Sequence, residues 1–367
     1  MTNRRHFLRT VAGTVAGGCV MGIDLVDGAT QAPAARRQVT IGNRRIRVVD
    51  IHAHWEMALP EIVKGTPLEK TAPPFVMRSP GPGLAERIAI MDKMGVDIAA
   101  ISINYYWWNA ATDRGLARAI CTAHNEGLAK WTRAYPDRLV GLASVPLQFP
   151  DLAAELLQDA VTRLGARGVT VGGHVAGEPV TLPKYDPFWA KVEELGLLVF
   201  MHPDGADNVA KQGSLEAGAG GLGMGNIIGN PLETTVFLSR LIFDGTFDKF
   251  PGLRVCGAHG GGYLPSYLGR SEVACVRPNT KCLQKRRPSE YLRQQILADT
   301  MVFSEEGLRH LVAEMGASQI VYGTDIPYIW PVTVDLVLNA SFLSDADKEA
   351  ILGGNLIRLL RIPAGAS

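Results

Sequence analysis

Residues 48–56 read VVDIHAHWE. Val48, Val49 and Ile51 have the composition of a buried strand, and His52 and His54 close it at a spacing of two. On a strand, that spacing places both side chains on one face. Two neutral imidazoles on one face, at a strand end, are a grip for a transition metal. A packed pair or a surface turn is the plain alternative, so the rest of the chain must supply further ligands.

From residue 45 onward, β-branched apolar runs alternate with amphipathic helical runs. The strand runs are 46–52, 97–104, 139–146, 166–173, 197–203, 253–261, 296–303 and 319–327. Helical patterns lie near 84–94, 113–135, 151–164, 186–195, 231–248, 264–275, 304–315 and 345–360. This rhythm predicts an α/β fold, a single (β/α)8 TIM barrel over 40–362 with long loops after strands 1 and 5. The first loop, 55–83, is rich in Pro and Gly, and the second, 204–230, is rich in Gly. Loops of that length in a compact domain usually serve as lids or binding loops. A doubly wound open sheet is the competing fold. It usually carries a glycine-rich phosphate turn after its first strand, where this chain has His-Ala-His.

Barrel enzymes build their sites at the C-terminal ends of the strands. His52 and His54 end strand one, His202 strand five, His259 strand six and Asp325 strand eight. These groups are far apart in sequence and converge on one mouth. Three imidazoles and a carboxylate (His52, His54, His202 and Asp325) can hold one divalent ion and leave a position open for water or substrate. His259, in AHGGGYLPSYLGR, reads as an acid/base group outside the ligand set, a fifth ligand or a structural histidine being the alternatives. No lysine sits on strand four to bridge two ions as a carbamate, which favours one ion. Among other residues, YYWW at 105–108 suits packing at least as well as substrate stacking. His174 reads as support for the ligands, whereas His124 and His310 lie in helical segments.

The 367 residues are 47% hydrophobic and 20% charged, with a formal net charge of +1. No basic block suggests a nucleic-acid partner. At the N-terminus, Arg4 and Arg5 precede a short, mildly apolar run from Val11 to Gly22, too weak for a membrane span. Residues 1–35 therefore read as a twin-arginine-type export signal with small residues at Ala32, Ala34 and Ala35 for cleavage, which predicts a periplasmic protein with no membrane segment in its mature form. An N-terminal arm is the alternative. The five cysteines include no Cys-x-x-Cys pair, and an oxidising compartment permits a Cys275–Cys282 bridge.

His52-Ala-His54, His202-Pro203, HGGG from His259 and GTDIP from Gly323 together resemble the amidohydrolase-2 family, and within it the aminocarboxymuconate-semialdehyde decarboxylase group. ERIAIMDKMGVDIAA, RLVGLASVPLQ, RPSEYLR and GNLIRLLRI are also similar to that group, and the likeness spans about 46–362. The resemblance implies one zinc-type ion, Zn2+ first and Mn2+ second, on His52, His54, His202 and Asp325, with His259 as catalytic acid/base. It further implies a homodimer in which Arg270 reaches the carboxylate of a substrate in the neighbouring chain. A surface salt bridge is the plain alternative for Arg270. Trp55-Glu56-Met57, HPDG after strand five and the 55–83 loop depart from the family pattern, so the substrate is not fixed by it.

The expected activity is metal-dependent, non-oxidative decarboxylation of a small carboxylated aromatic or muconate-like compound, with His259 and Asp325 handling protons. Hydrolysis of a lactone, ester or amide on the same ligand set is the alternative, and a non-catalytic periplasmic binding protein is a third reading.

Overall fold

The computed structural model describes residues 36–363 apart from 79–82, 104, 205–222, 329 and 332. The export-signal expectation for 1–35 lies outside the described residues, as does most of the loop after strand five. No described helix is long and apolar enough to cross a membrane.

Eight parallel strands follow one another around the sheet in sequence order. They are β1 (Val49–Trp55), β2 (Ile98–Ile103), β3 (Leu139–Ala143), β4 (Gly168–Val171), β5 (Leu198–Met201), β6 (Arg254–Gly257), β7 (Ile296–Asp299) and β8 (Ile320–Val321). The barrel closes between β1 and the chain just after β8. Ile51 N–H donates to Tyr322 O at 3.0 Å, Asp325 N–H to His52 O at 2.7 Å and His54 N–H to Ile326 O at 2.6 Å. The (β/α)8 expectation therefore holds. Strands buried on both faces explain why the sequence shows near-continuous apolar runs rather than strict alternation.

The strands carry helices α1 (Leu84–Met94), α2 (Arg114–Ala134), α3 (Pro150–Thr162), α4 (Asp186–Leu195), α5 (Asn230–Phe243), α6 (Leu268–Ala274), α7 (Pro288–Gln294) and α8 (Glu305–Met315). In α2, buried Ala117, Ile120, Cys121, His124 and Leu128 recur at three- and four-residue spacing, and the Asp113 side chain accepts from Leu116 N–H at 2.7 Å. Such a cap contributes about 1 kcal/mol.

Several expected boundaries move. The 231–248 pattern breaks after α5, where Gly245 takes φ +77°, and a short helix Thr246–Lys249 follows. The 264–275 pattern is a 3-10 turn, Pro265–Tyr267, followed by the seven-residue α6. The loop after β1 is folded into three short helical turns, Pro60–Val63, Pro67–Lys70 and Pro74–Met77. Each begins on a proline, whose fixed φ and missing N–H suit a first helical position. An antiparallel hairpin, Thr40–Ile41 with Arg44–Arg45, precedes the barrel and was not expected.

The strand-one boundary matters most. The strand runs three residues further than the apolar run suggests, so the histidines lie within it. Its pairing with β2 shifts register between Asp50 and Ala53. Below the shift, Val49 and Ile51 join the interior cluster with Ile98, Ala100, Leu198 and Phe200. Above it, Ala53 joins the layer between sheet and helices, and His52 and His54 take over the inward face. A bulge of this kind re-aims side chains without ending the sheet.

Candidate metal centre

The four expected ligands come together. Ligand atoms of His52, His54, His202 and Asp325 all lie within 4.8 Å of one another. The residues are 0%, 0%, 5% and 4% exposed, so water reaches none of them freely. Each imidazole of the β1 pair is held from behind. His52 Nδ1 lies 2.7 Å from Asp299 Oδ2, and His54 Nδ1 lies 3.2 Å from Ser102 Oγ. That leaves both Nε2 atoms facing Asp325 Oδ1, at 3.2 and 3.1 Å. None of these three facing atoms makes a hydrogen bond. A buried polar atom without a partner costs about 1–3 kcal/mol, and here three such atoms converge. The donor set suits a divalent cation: imidazole nitrogens and a carboxylate oxygen, with the far side of each β1 ring hydrogen-bonded so that its free nitrogen points inward.

The electrostatics favour ligation outright for two of the three imidazoles. Burial disfavours a proton on His202 and His54, taking His54 down to about 4, so both keep a free lone pair at neutral pH. Burial acts the same way on His52, but Asp325 and the hydrogen bond to Asp299 outweigh it and raise its pKa, so a cation bound by His52 would displace a proton that the two carboxylates favour in the metal-free chain. Burial opposes the charge on Asp325, and His52 and His54 outweigh it, keeping the carboxyl ionised.

His259 stands beside this group. Its ring centroid is 5.2 Å from that of His52 and 5.3 Å from that of His202. Burial, reinforced by His52, lowers its pKa to about 4, so the ring is neutral. His259 adopts φ +56°, and Gly260, Gly261 and Gly262 continue at +67°, +72° and +66°. A Cβ at Gly262 would lie 2.3 Å from Pro231 O, so the last glycine of HGGG is required by space as well as by conformation. A non-glycine residue in this region stores strain that the surroundings must hold in place. Asp299 does part of that work, accepting His259 N–H at 3.1 Å and Gly260 N–H at 2.8 Å.

A cavity of about 110 Å³ opens over the group, lined by His202, His259, Asp325, Asn226, Asn230 and Tyr328 among others. Of YYWW, only Tyr105 lines this cavity, its hydroxyl 3.0 Å from that of Tyr328. Trp108 is core, donating to Val145 O at 3.0 Å. His174 accepts Gly177 N–H at 3.0 Å and lies 4.0 Å from Glu233, away from the four ligands. The supporting role belongs instead to Asp299 and Ser102, which the sequence reading did not single out. Asp299 ends β7, so the rule that picked the other strand-end groups also covers it. Arg87 was missed too: it is 1% exposed and donates to His54 O. His124 is buried in α2, and Arg270 is exposed on α6 with no side-chain partner among the described residues.

Residues 49–362 match the Amidohydro_2 family, described as amidohydrolase. The chain belongs to this amidohydrolase family. Among its relatives, 2-amino-3-carboxymuconate-6-semialdehyde decarboxylase of Dictyostelium discoideum is 30% identical over 284 residues, covering 75% of each chain. The gamma-resorcylate decarboxylase of Rhodococcus jostii is 31% identical over 288 residues, covering 75% of this chain and 87% of the relative. A solved 2,6-dihydroxybenzoate decarboxylase from Rhizobium superposes with a TM-score of 0.73 at 28% identity, covering 86% of this chain and 99% of that one.

Proposed function

We propose that this member of the amidohydrolase family is a metal-dependent carboxy-lyase that removes, without an oxidant, the carboxyl group of a small carboxylated aromatic or muconate-like compound. The observation that carries the reading is the buried set of His52, His54, His202 and Asp325 with neutral His259 beside it at one cavity. The decarboxylase relatives support the same reaction class.

In this reading the four residues hold one divalent ion, Zn2+ ahead of Mn2+, because three imidazoles and one carboxylate suit zinc. When bound, the ion supplies a fixed positive charge for a carboxylate or phenolate oxygen of the substrate. The carbon–carbon bond breaks with its electron pair left on the substrate carbon, CO2 departs, and a proton must reach that carbon. His259 is uncharged at neutral pH and free to take up and deliver that proton, with Asp325 sharing the work. Asp299 positions both His52 and the strained His259 backbone.

The same ligands also serve hydrolysis of a lactone, ester or amide. Purified protein incubated with a panel of hydroxybenzoates and lactones separates the two. CO2 release from a carboxylate supports the lyase, and acid release from a lactone without CO2 overturns it. Elemental analysis of the same protein distinguishes zinc from manganese.

Two further parts of the reading concern assembly and location. We assign Arg270 to a homodimer in which it meets the neighbouring chain's substrate. Its helix carries exposed Val273 (54%) and is preceded by exposed Tyr267 (63%), and an arginine fork matches a carboxylate. Co-expressed His259→Asn and Arg270→Ala chains should regain partial activity as heterodimers; no recovery in purified heterodimers removes the trans role. We also assign residues 1–35 to twin-arginine export. The Cys275–Cys282 disulfide supports an oxidising compartment, since the free cysteines Cys121 and Cys256 are buried. Arg4→Lys/Arg5→Lys should leave the protein unprocessed in the cytoplasm; unchanged periplasmic delivery overturns the assignment.

A further inference from the structure

The two carboxylate oxygens of Asp325 stand in different settings. Oδ1 lies 3.2 Å from His52 Nε2 and 3.1 Å from His54 Nε2 and accepts no hydrogen bond. Oδ2 accepts Trp330 Nε1–H at 2.8 Å. The chain brings this donor back by its own turn. Asp325 takes φ +63°, and Tyr328 N–H returns to Asp325 O at 2.9 Å. The indole is braced by Phe303, with ring centroids 5.5 Å apart, and it lines the cavity together with His259.

An indole N–H only donates, so Oδ2 is fixed as the acceptor. The last torsion of an aspartate is otherwise broad and roughly two-fold. Without the indole, the carboxylate can present either oxygen, or both, to the imidazole cluster. We propose that Trp330 is a positioning residue that fixes Asp325 as a one-oxygen ligand, with Oδ1 alone presented to the ion. The proposal rests on the reading of Asp325 as a metal ligand. It gives Trp330 a duty that neither cavity lining nor packing on Phe303 requires. Hydrogen-bond partners that orient a ligand from behind are typically worth roughly 10–100-fold in metal affinity, and the same loss is expected here.

The test removes the N–H and keeps the ring. In the full chain, Trp330 is replaced with 3-benzothienylalanine by nonsense suppression, and Trp330→Phe serves as a second variant. Zn2+ affinity is measured by competition with a chromophoric chelator, and the melting temperature of the metal-free protein is recorded. Both variants should bind Zn2+ roughly 10–100-fold more weakly, with the melting temperature of the benzothienylalanine protein unchanged. Asp325→Ala, measured in parallel, tests the reading beneath. If Asp325→Ala weakens binding while the benzothienylalanine protein binds like wild type, Trp330 only packs and the proposal is overturned. If Asp325→Ala binds Zn2+ as wild type does, Asp325 is not a ligand and both readings fall.

Discussion

The two ends of the barrel both bury charge, and they treat it in opposite ways. At the end where the strands begin, Asp97 is 5% exposed and is met by Arg36, Arg45 and Val48 N–H. Arg138 bonds Asp92 at 2.7 Å and the carbonyls of Asp97 and Val96. Each carboxylate there has its cation within the chain. At the end where the strands finish, imidazole nitrogens and Asp325 Oδ1 face one another without hydrogen bonds. A buried charge met by the protein serves structure, and removing one partner leaves the other stranded. Buried polar atoms that converge without hydrogen bonds are placed for a group the chain does not supply.

The comparison breaks most directly at the ligands. Wild-type protein should carry close to one equivalent of divalent metal, and His52→Ala/His202→Ala close to none, by elemental analysis. Full occupancy in that double variant would make the upper end merely structural.

Next in size is His259. His259→Asn should keep its metal while turnover falls by roughly 10²–10⁴, the usual worth of a placed proton-transfer group. Loss of metal in this variant would move His259 into the ligand set.

The lower end should respond to mutation in the opposite sense. Asp97→Ala removes the acceptor of Arg36, Arg45 and Val48 N–H and should cost about 1–3 kcal/mol in denaturant unfolding, with metal content unchanged. A drop in metal occupancy without loss of stability would show that the two ends are not separable.

An effect confined to acid pH, and absent at neutral pH, comes from a histidine at neither end. His124 is buried among Trp107 and Trp108, and burial lowers its pKa to about 3 from 6.5. Between those values the unfolded chain binds a proton that the folded one refuses. Its contribution is therefore fully present above pH 6.5 and is lost as pH falls toward 3, by at most about 1.4 kcal/mol per pH unit. His124→Leu should flatten that part of the stability–pH curve, and an unchanged slope would show that His124 does not titrate this way.

How legible all this was varies by element. The alternation of β-branched and amphipathic runs located the eight strands and every labelled helix except α7 (Pro288–Gln294), because strands buried on both faces read as apolar runs and helices bury one face at their own period. The rule that barrel chemistry sits at strand ends then selected His52, His54, His202, His259 and Asp325, and the resemblance of their motifs to the amidohydrolase family agreed with it. The same rule applied with equal force to Asp299, but a lone aspartate in ILADTMVF has no spacing partner in the sequence. Its importance appears only when β7 is placed beside β1 and β6, where it meets His52 and the His259 backbone.

Tertiary structure alone decided the aim of the first two histidines. A spacing of two put them on one face of β1, but the sequence contains no mark of the register shift between Asp50 and Ala53. Which face looks into the barrel depends on how β1 pairs with β2, and pairing is set by a neighbour fifty residues away. The return of Trp330 to Asp325 has the same character, since a turn with positive φ and a braced indole must both form before the hydrogen bond exists. Sequence determined the residue types and their periods, because side-chain chemistry and local backbone preference are local properties. Convergence, burial and the direction in which each lone pair points were decided in the folded chain, because they depend on contacts between residues far apart in sequence.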